Sequence, residues 1–334
     1  MRERRIGPFK VSAIGLGCMN LSHAYAAPPE PEAGERLLLH ALDSGVTLFD
    51  TAALYGFGAN ETLVGRVLKP HRSKFTLASK GGMAGVQFDD DMKRVIDGRP
   101  EAIRRNCEDS LRRLQTDVID LYYLHRWDKK VPIEESVGAL ARLVEQGKVR
   151  AIGLSEVSAM TLRNAHAVHP IAAVQTEYSL WTRNPEIAVL DACREIGAAF
   201  VAFSPLARGF LTGTLSDIAT LGATDIRYNM PRFIGDAFGA NLRLIDPLME
   251  IARDAGSTPA RLALAWLLAK AAHIVPIPGT RNIAHLDENL GAADLALDVA
   301  TMARLEALIN EETVTGGRYS AQSQSEVDTE SFDA

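Results

Sequence analysis

The chain has 334 residues, of which 47 % are hydrophobic and 23 % are charged, as in an ordinary globular protein. Its net charge of −6 argues against a nucleic-acid-binding surface. No apolar run approaches the roughly eighteen residues of a membrane span, and no signal sequence follows the charged start. We therefore expect a cytoplasmic protein with a single domain over 1–334, because α/β barrels reach this length as one unit.

The cysteines Cys18, Cys107 and Cys193 are odd in number and widely spaced, so they give no metal-ligand pair. Such usage is typical of reduced thiols in the cytoplasm. Free cysteines are usually buried, and we predict buried structural thiols here.

Residues 1–10, centred on Gly7-Pro8, predict a short N-terminal hairpin. After it, apolar runs alternate with segments of helical period. The predicted strands cover 11–17, 46–50, 74–80, 119–124, 149–155, 172–177, 198–203 and 273–277. The predicted helices lie near 31–44, 60–68, 100–114, 134–147, 158–167, 185–196, 240–270 in two pieces, and 282–293. Eight such units in roughly 300 residues favour a (β/α)8 TIM barrel over an open doubly wound sheet.

Two segments depart from this alternation. Residues 206–239 form a long loop after the seventh predicted strand, with glycines among scattered aromatic residues. Loops of this length are usually functional or disordered, and the aromatic residues favour a lid over the barrel mouth. The tail from Thr313 is rich in Ser, Gln, Glu and Asp, so we expect its end to be mobile.

Four ionisable residues lie at or just past the ends of predicted strands: Asp50, Tyr55, Lys80 and His125. Parallel strands open their carboxyl ends onto one face, where α/β barrels hold their catalytic groups. A phenol with a pKa near ~10 is a poor acid at neutral pH, but a lysine ammonium lowers that pKa and a carboxylate anchors the lysine. His125 is suited to orient a carbonyl group or to share the proton. Each residue alone has an ordinary structural alternative; their joint position favours proton transfer.

Phosphate-binding patterns are found late in the chain. The early Gly15-Leu16-Gly17 lacks the third glycine of a dinucleotide fingerprint, because Asn20 stands there. The segment 204–209, with Ser204, Leu206 and Arg208, offers backbone donors and a cation after the seventh strand, where barrels commonly hold phosphates. Arg281 lies at the start of the last predicted helix, whose free N–H groups attract anions. An arginine there suits a 2′-phosphate and favours NADPH over NADH.

The sequence also contains longer motifs. Gly45 begins the run Gly-Val-Thr-Leu-Phe-Asp-Thr-Ala, which is followed by Tyr55-Gly56, Asn60-Glu61 and Gly65. Later, Ser-Leu-Arg-Arg-Leu at 110–114 precedes Asp117 and the strand that ends at His125. From the N-terminal hairpin to about residue 295, the chain resembles the aldo-keto reductase superfamily. The resemblance implies a catalytic tetrad of Asp50, Tyr55, Lys80 and His125, with Tyr55 as the general acid.

The same resemblance implies a set of NADPH-binding residues. At the adenosine end they are Gly279, Thr280, Arg281, His285, Glu288 and Asn289. At the nicotinamide end, Ser155 and Gln175 would bind the carboxamide and Phe203 would stack on the ring. Three positions depart from the common pattern of the superfamily: Glu156 replaces a frequent Asn, Phe203 a frequent Tyr and Ala207 a frequent Gly.

We therefore expect an NADPH-dependent reductase of aldehydes or ketones, with a small carbonyl compound as its partner and no need for a metal. The candidate substrate contacts are Met19, His23, Tyr25, Trp127 and Phe233. Two alternatives stay open. One is a non-catalytic nicotinamide-binding subunit or redox sensor; the other is a barrel aldolase with Lys80 as a Schiff base, which would need a desolvated lysine not paired with an acid.

Overall fold

The computed structural model describes residues 2–22, 24–25, 27–89, 91–222 and 224–332. Within these ranges the chain forms the expected (β/α)8 barrel. The strands are β1 (Glu3–Ile6), β2 (Phe9–Ser12), β3 (Leu16–Gly17), β4 (Leu48–Asp50), β5 (Thr76–Gly81), β6 (Met83–Phe88), β7 (Asp91–Ile96), β8 (Ile119–Leu124), β9 (Val149–Ser155), β10 (Ile171–Glu177), β11 (Ala199–Phe203) and β12 (Ile274–Pro276).

The barrel strands are parallel and follow the order β12-β11-β10-β9-β8-β5-β4-β3. Two backbone hydrogen bonds connect the first barrel strand to the last: Gly15 N donates to Pro276 O (3.0 Å) and Gly17 N to Pro278 O (3.2 Å). These bonds close the sheet on itself. The carboxyl ends of its strands therefore surround one mouth.

Helices surround the strands, and the start and end of α3 illustrate how local sequence sets their bounds. Pro100 begins a helix whose first turn contains Glu101, and Gln115 ends it in the left-handed conformation (φ 53°). The helices are α1 (Pro31–Asp43), α2 (Ala59–Leu68), α3 (Pro100–Leu114), α4 (Ile133–Glu145), α5 (Ala159–Val168), α6 (Val189–Ile196), α7 (Gly235–Leu242), α8 (Ile245–Asp254), α9 (Pro259–Lys270), α10 (Ile283–Leu290), α11 (Val299–Leu308) and α12 (Ala321–Ser325).

The barrel interior is filled by side chains from alternate strand positions, among them Leu121, Val201 and Val275. The predicted N-terminal hairpin, β1 and β2, is confirmed, and its Ile6 and Val11 join this interior cluster. The hairpin turn at Gly7 lies against Ala172, near the start of β10. The hairpin therefore closes the amino-terminal end of the barrel and leaves the opposite mouth open.

Several predicted boundaries were wrong. Residues 11–17 are divided between β2 and β3, and 240–270 belongs to three helices rather than two. The hairpin β6–β7 was not predicted, because its strands are largely exposed and carry no hydrophobic alternation. Helix α11 was also not predicted. All of its residues are described, and Leu305 is the only one of them that is buried.

The C-terminal segment, residues 316–332, packs along one side of the barrel mouth. Arg318 is buried and donates from Nη2 to both carboxylate oxygens of Glu156 at 2.8 Å. Asp328 accepts hydrogen bonds from Ser158 N (3.1 Å) and from Thr161 Oγ1 (2.7 Å) at the start of α5. Lys129 Nζ donates to Val327 O at 2.7 Å. The expected mobility of the tail stays a prediction.

The prediction of buried thiols is confirmed, because Cys18, Cys107 and Cys193 are all buried and unbridged. Burial raises the pKa of Cys107 to about 12, which makes that thiol a poor nucleophile at neutral pH. Within the described ranges, no helix is both long enough and apolar enough to cross a bilayer.

Candidate active site

Strand ends bring the four predicted catalytic residues together at the open mouth. Asp50 is the last residue of β4, Lys80 is the fifth residue of β5, and His125 directly follows β8. Tyr55 begins a short 3-10 turn, five residues after Asp50. The hydroxyl, ammonium, carboxylate and imidazole groups share one site because their strands are neighbours in the sheet.

Lys80 lies at the centre of the site and has no solvent exposure. Its Nζ forms an ion pair with Asp50 Oδ1, and it donates to Thr51 O at 2.8 Å and to Tyr55 Oη at 3.2 Å. Gln175 Nε2 donates to the second oxygen of Asp50 at 2.7 Å. The fixed ammonium can therefore stabilise a negative charge that develops on the Tyr55 oxygen.

His125 completes the group beside the phenol. The rings of Tyr55 and His125 meet edge to face, with centroids 5.8 Å apart and an interplanar angle of 84°. The backbone N–H of His125 donates to Gly81 O at 2.8 Å, which holds this residue in line with β5. An imidazole in this position can reach the same substrate atom as the phenol.

The protonation states follow from burial and from pairing. Burial raises the pKa of Tyr55 above 10, and the Lys80 ammonium opposes that increase without cancelling it. The predicted lowering of the pKa of Tyr55 by Lys80 has the right sign, but burial is the stronger effect. Burial acts to lower the pKa of Lys80, yet attraction to Asp50 and Tyr55 leaves that pKa raised. Lys80 is therefore charged and Tyr55 holds its proton at neutral pH.

A buried polar network fixes the turn that carries Tyr55. Asn60 accepts a hydrogen bond from Thr51 Oγ1 (2.6 Å) and donates to Cys18 O (2.8 Å) and Ser22 Oγ (2.9 Å). Gly65 allows α2 to pack closely on α3, because a Cβ at Gly65 would lie 2.5 Å from the backbone of the neighbouring helix. These contacts explain why the early sequence motif extends beyond the predicted catalytic residues.

A cavity of about 1010 Å³ opens in front of the tetrad. This is at the upper limit of ordinary ligand pockets, which span about 300–1,000 Å³. The predicted residues that line it are Met19, Tyr25, Asp50, Tyr55, His125, Ser155, Gln175, Phe203, Ser204, Leu206, Arg208, Gly279, Thr280, Arg281, His285, Glu288 and Asn289. The cavity thus joins the catalytic groups to the region expected to hold the adenosine end of a cofactor.

The adenosine end has a donor set that suits phosphate groups. Arg281 is exposed, and its Nη1 donates to a backbone oxygen, Ala27 O, at 2.8 Å. Asn282 caps the start of α10 through a bond from Ala284 N at 2.8 Å. A Cβ at Gly279 would lie 2.9 Å from the backbone oxygen of Gly17, so a side chain at this position would displace the backbone beside the cavity. The Arg281 cation, the start of α10 and the backbone at Gly279 together fit the phosphates of a nicotinamide dinucleotide.

Arg208 differs from its expected state. The predicted state is a cation available to a pyrophosphate, but Arg208 Nη2 forms an ion pair with Glu177 at 2.8 Å. Its Nη1 lies 3.5 Å from Tyr25 Oη. The arginine still lines the cavity, with its charge already balanced by a buried carboxylate.

Two candidate substrate contacts do not line the cavity. The Trp127 indole packs against the main core and donates to Val131 O at 2.8 Å. Phe233 is buried in an aromatic cluster with Trp181 and Phe210. Both rings complete hydrophobic packing, and we leave them out of the proposed site. His23 lies outside the described residues.

Sequence reasoning missed several residues of the cavity wall. Arg126 directly follows His125, and Arg94 comes from the β6–β7 hairpin. Tyr319, Ser320 and Ser323 come from the C-terminal segment. The position of Arg126 next to a predicted catalytic residue was an available signal. The other four depend on long-range packing that leaves no local pattern.

The family model for the aldo/keto reductases matches residues 13–310. This chain belongs to the aldo/keto reductase family. One relative, probable aldo-keto reductase 1 from Glycine max, is 45 % identical over 314 residues, which cover 93 % of this chain and 89 % of the relative. The NADP(+) aldo-keto reductase yakc from Schizosaccharomyces pombe is 43 % identical over 321 residues, which cover 95 % of this chain and 94 % of yakc.

Solved aldo-keto reductase structures share the architecture. The glycerol dehydrogenase AKR11B4 from Gluconobacter oxydans matches with a TM-score of 0.84 at 31 % identity, covering 92 % of this chain and 94 % of that one. The holo form of AKR11C1 from Bacillus halodurans matches with a TM-score of 0.76 at 26 % identity, covering 93 % and 97 %. An oxidoreductase role follows from membership in the family.

The structure gives this aldo-keto reductase a reason for its departure at Glu156. The side chain is buried and turned to the C-terminal segment, where it binds Arg318 and accepts from Glu177 N at 2.9 Å. It does not line the cavity. A carboxylate at this position therefore anchors the segment that closes one side of the mouth.

Proposed function

We propose that this protein is an NADPH-dependent reductase that converts aldehydes or ketones to alcohols, with Tyr55 as the general acid. One observation carries the proposal: the buried chain from Asp50 through Lys80 to Tyr55 ends at a large cavity. A protonated phenol backed by a fixed ammonium is suited to give its proton to a carbonyl oxygen. The family relationship supports the same class of reaction.

Each member of the tetrad has a separate task in this reaction. Tyr55 donates its proton to the carbonyl oxygen, and Lys80 stabilises the phenolate that forms. Asp50 and Thr51 O hold the ammonium in place, while the His125 imidazole orients the carbonyl group. When bound, the reduced nicotinamide supplies the hydride that adds to the carbonyl carbon. One hydride and one proton convert the carbonyl group to an alcohol.

The cavity wall supports a division of roles along the cofactor. Ser155, Gln175 and Phe203 line the cavity near the tetrad and would hold the nicotinamide. Ser204, Leu206 and Arg208 would lie along the pyrophosphate. Gly279, Thr280, Arg281, His285, Glu288 and Asn289 would hold the adenosine end. The exposed guanidinium of Arg281 favours a 2′-phosphate and hence NADPH over NADH.

The ion pair in the tetrad weighs against an aldolase. A Schiff-base lysine must lose its proton, whereas attraction by Asp50 raises the pKa of Lys80. The protonated Tyr55 beside a cavity likewise argues against a purely cofactor-binding subunit.

The first test is oxidation of NADPH and of NADH, followed by absorbance, with a panel of aldehydes, ketones and sugars. The proposal predicts turnover with NADPH as the better cofactor. Cofactor binding, measured in parallel by nicotinamide fluorescence, separates the alternatives. Tight NADPH binding with no turnover of any carbonyl compound would favour the binding subunit, and borohydride trapping of a substrate on Lys80 would favour the aldolase.

A further inference from the structure

The arginines that line the cavity have two different electrostatic states. Three of those in the described chain are paired with carboxylates: Arg94 with Glu326 (2.6 Å), Arg208 with Glu177 (2.8 Å) and Arg227 with Asp225 (2.7 Å). Arg126 and Arg281 line the same cavity, and neither has a carboxylate of a described residue within 4.0 Å. Among the described residues, these two positive charges therefore have no carboxylate partner.

These two arginines lie at different ends of the cavity. Arg281 precedes α10 at the proposed adenosine end, where it has a task in binding a 2′-phosphate. Arg126 directly follows His125 at the catalytic end. The proposed cofactor contacts give Arg126 no comparable task.

The contacts of Arg126 leave most of its donors available. Its Nη1 donates to His125 O at 2.7 Å and to Ser155 Oγ at 3.2 Å. Both acceptors are neutral, and no described residue accepts a hydrogen bond from Nε or Nη2. The side chain is half-buried, so its charge is less screened than that of a surface arginine. A guanidinium in this state is suited to bind a carboxylate through its planar fork of donors.

The surrounding wall fits a small organic acid better than a wholly polar ligand. Met19, Leu54 and Met83 line the cavity on the side of Tyr55, and Leu54 and Met83 are buried with Tyr55 in one small apolar cluster. Asp50 is the one acid of the tetrad, and its charge is compensated by the ion pair with Lys80. An anion near Arg126 would therefore not face an uncompensated carboxylate there.

We propose that Arg126 is a specificity-determining residue that binds the carboxylate of an anionic carbonyl substrate, a claim that rests on the proposed reductase function. The reacting carbonyl group lies at Tyr55 and His125, the carboxylate lies on the Arg126 guanidinium, and the apolar wall covers the carbon skeleton between them. The preferred substrates are aldehydes or ketones that carry a carboxylate, rather than neutral ones of the same shape.

The test compares 4-formylbenzoate with its neutral methyl ester as substrates for the wild type, Arg126→Met and Arg126→Lys. The wild type is expected to favour the acid by roughly tenfold or more in kcat/KM, since hydrogen bonds to charged groups are strong. Arg126→Met is expected to lose that preference, mainly through a higher KM for the acid, while it keeps its activity on the ester. Arg126→Lys keeps a charge without the fork and is expected to retain part of the preference.

Matched measurements separate this site from other roles of Arg126. Arg253→Met removes an exposed charge on α8 and is expected to leave the preference for the acid unchanged. Retained turnover of the ester by Arg126→Met shows that the variant is folded. Equal use of acid and ester by the wild type overturns the proposal. A weaker NADPH affinity in Arg126→Met with an unchanged acid-to-ester ratio also overturns it, because Arg126 then belongs to the cofactor site.

A binding experiment keeps this inference apart from the reductase function. Benzoate and benzamide are titrated by calorimetry into the NADP+-loaded protein, which requires no turnover. Benzoate binding that Arg126→Met abolishes supports the anion site even if neither aldehyde is reduced, and in that case only the reductase proposal fails. The absence of benzoate binding to the wild type overturns the anion site.

Discussion

The floor and the wall of the cavity are built in different ways. On the floor, Asp50, Lys80 and His125 are fixed by neighbouring barrel strands, and short contacts inside one buried network join the first two to Tyr55. The wall comes from the loops after β3, β11 and β12, the β6–β7 hairpin and the C-terminal segment. Its contacts depend on charge pairs between residues far apart in the chain, such as Arg318 with Glu156.

This difference separates chemistry from selectivity. Strand ends cannot move without disturbing the sheet, so they suit groups that need fixed distances. Loops and chain ends vary more readily, so they suit the recognition of different substrates. Variants of the floor should therefore affect the rate with every substrate, whereas variants of the wall should affect affinity or local order.

The largest effect is expected from Lys80→Met on the floor. The substitution leaves Asp50 buried beside an uncharged side chain, which should cost about 3–5 kcal/mol of unfolding free energy. The rate of reduction should fall roughly 10²- to 10⁴-fold, because Tyr55 loses the charge that stabilises its phenolate. Chemical unfolding and NADPH oxidation measure the two quantities.

A double variant sharpens this test. Asp50→Asn with Lys80→Met removes both charges, so much of the lost stability should return while activity stays low. Lys10→Met, at an exposed position of the N-terminal hairpin, should change neither quantity. A double variant as active as the wild type would contradict the assigned role of Lys80.

The next effect concerns the adenosine end of the wall. Arg281→Met should lower kcat/KM for NADPH roughly 10- to 100-fold, since a charge-assisted contact to the 2′-phosphate is lost. The kcat/KM for NADH should change little, because NADH lacks the 2′-phosphate. Steady-state kinetics with both cofactors measures the ratio, with Arg253→Met as the exposed control. Equal losses with both cofactors would assign Arg281 a structural role.

A smaller effect is expected where the C-terminal segment is anchored. Glu156→Gln weakens the buried bond to Arg318 and should lower the unfolding free energy by roughly 1–3 kcal/mol. Hydrogen exchange should become faster in residues 316–332. Glu326 lies on the same segment, and its ion pair with Arg94 is more exposed than the pair of Glu156 with Arg318. Glu326→Gln should therefore lower the unfolding free energy by less than about 1 kcal/mol. If both variants had the same effect, burial would not be what makes the anchor strong.

The smallest effect is the response of Glu177 to acid. Burial acts to raise its pKa, but Arg208 and Arg318 lower it to about 2. In the unfolded chain a glutamate titrates near ~4.3, so the stability from ionised Glu177 is complete above that pH and is lost as the pH falls towards 2. By about pH 3.5 the loss should reach about 1 kcal/mol. Urea unfolding at several pH values should show a shallower decline in Glu177→Gln, and an unchanged decline would contradict the assignment.

The floor was predictable because its signals are local. The run Ile119–Leu124 is wholly buried, so its apolar pattern gave the strand at its observed bounds and placed His125 at the mouth. Asp50 and Lys80 were found in the same way, at or near the ends of β4 and β5. One property of the floor was mispredicted, namely the direction in which the pKa of Tyr55 shifts. That pKa depends on the solvent that the surrounding structure excludes.

The parts of the wall that come from the β6–β7 hairpin and the C-terminal segment were not predictable from local patterns. The strands of the β6–β7 hairpin are exposed and polar, so they lack the alternation that marks a half-buried strand. Arg318 meets Glu156 across 162 residues, and neither side chain indicates its partner in the sequence. Trp127 lies two residues after the predicted catalytic His125, but it packs against the core and its indole donates to Val131 O.

The most direct measurement is the single-turnover rate of NADPH oxidation in Tyr55→Phe, with saturating cofactor and the best carbonyl substrate. Tyr228→Phe is the matched control, because Tyr228 does not line the cavity and its hydroxyl donates to two backbone oxygens, Ile218 O and Leu221 O. The account predicts a rate roughly 10²- to 10⁴-fold lower in Tyr55→Phe, with unchanged NADPH affinity, and a normal rate in the control. A Tyr55→Phe protein that reduced the substrate at the wild-type rate would contradict the central claim that this phenol donates the proton.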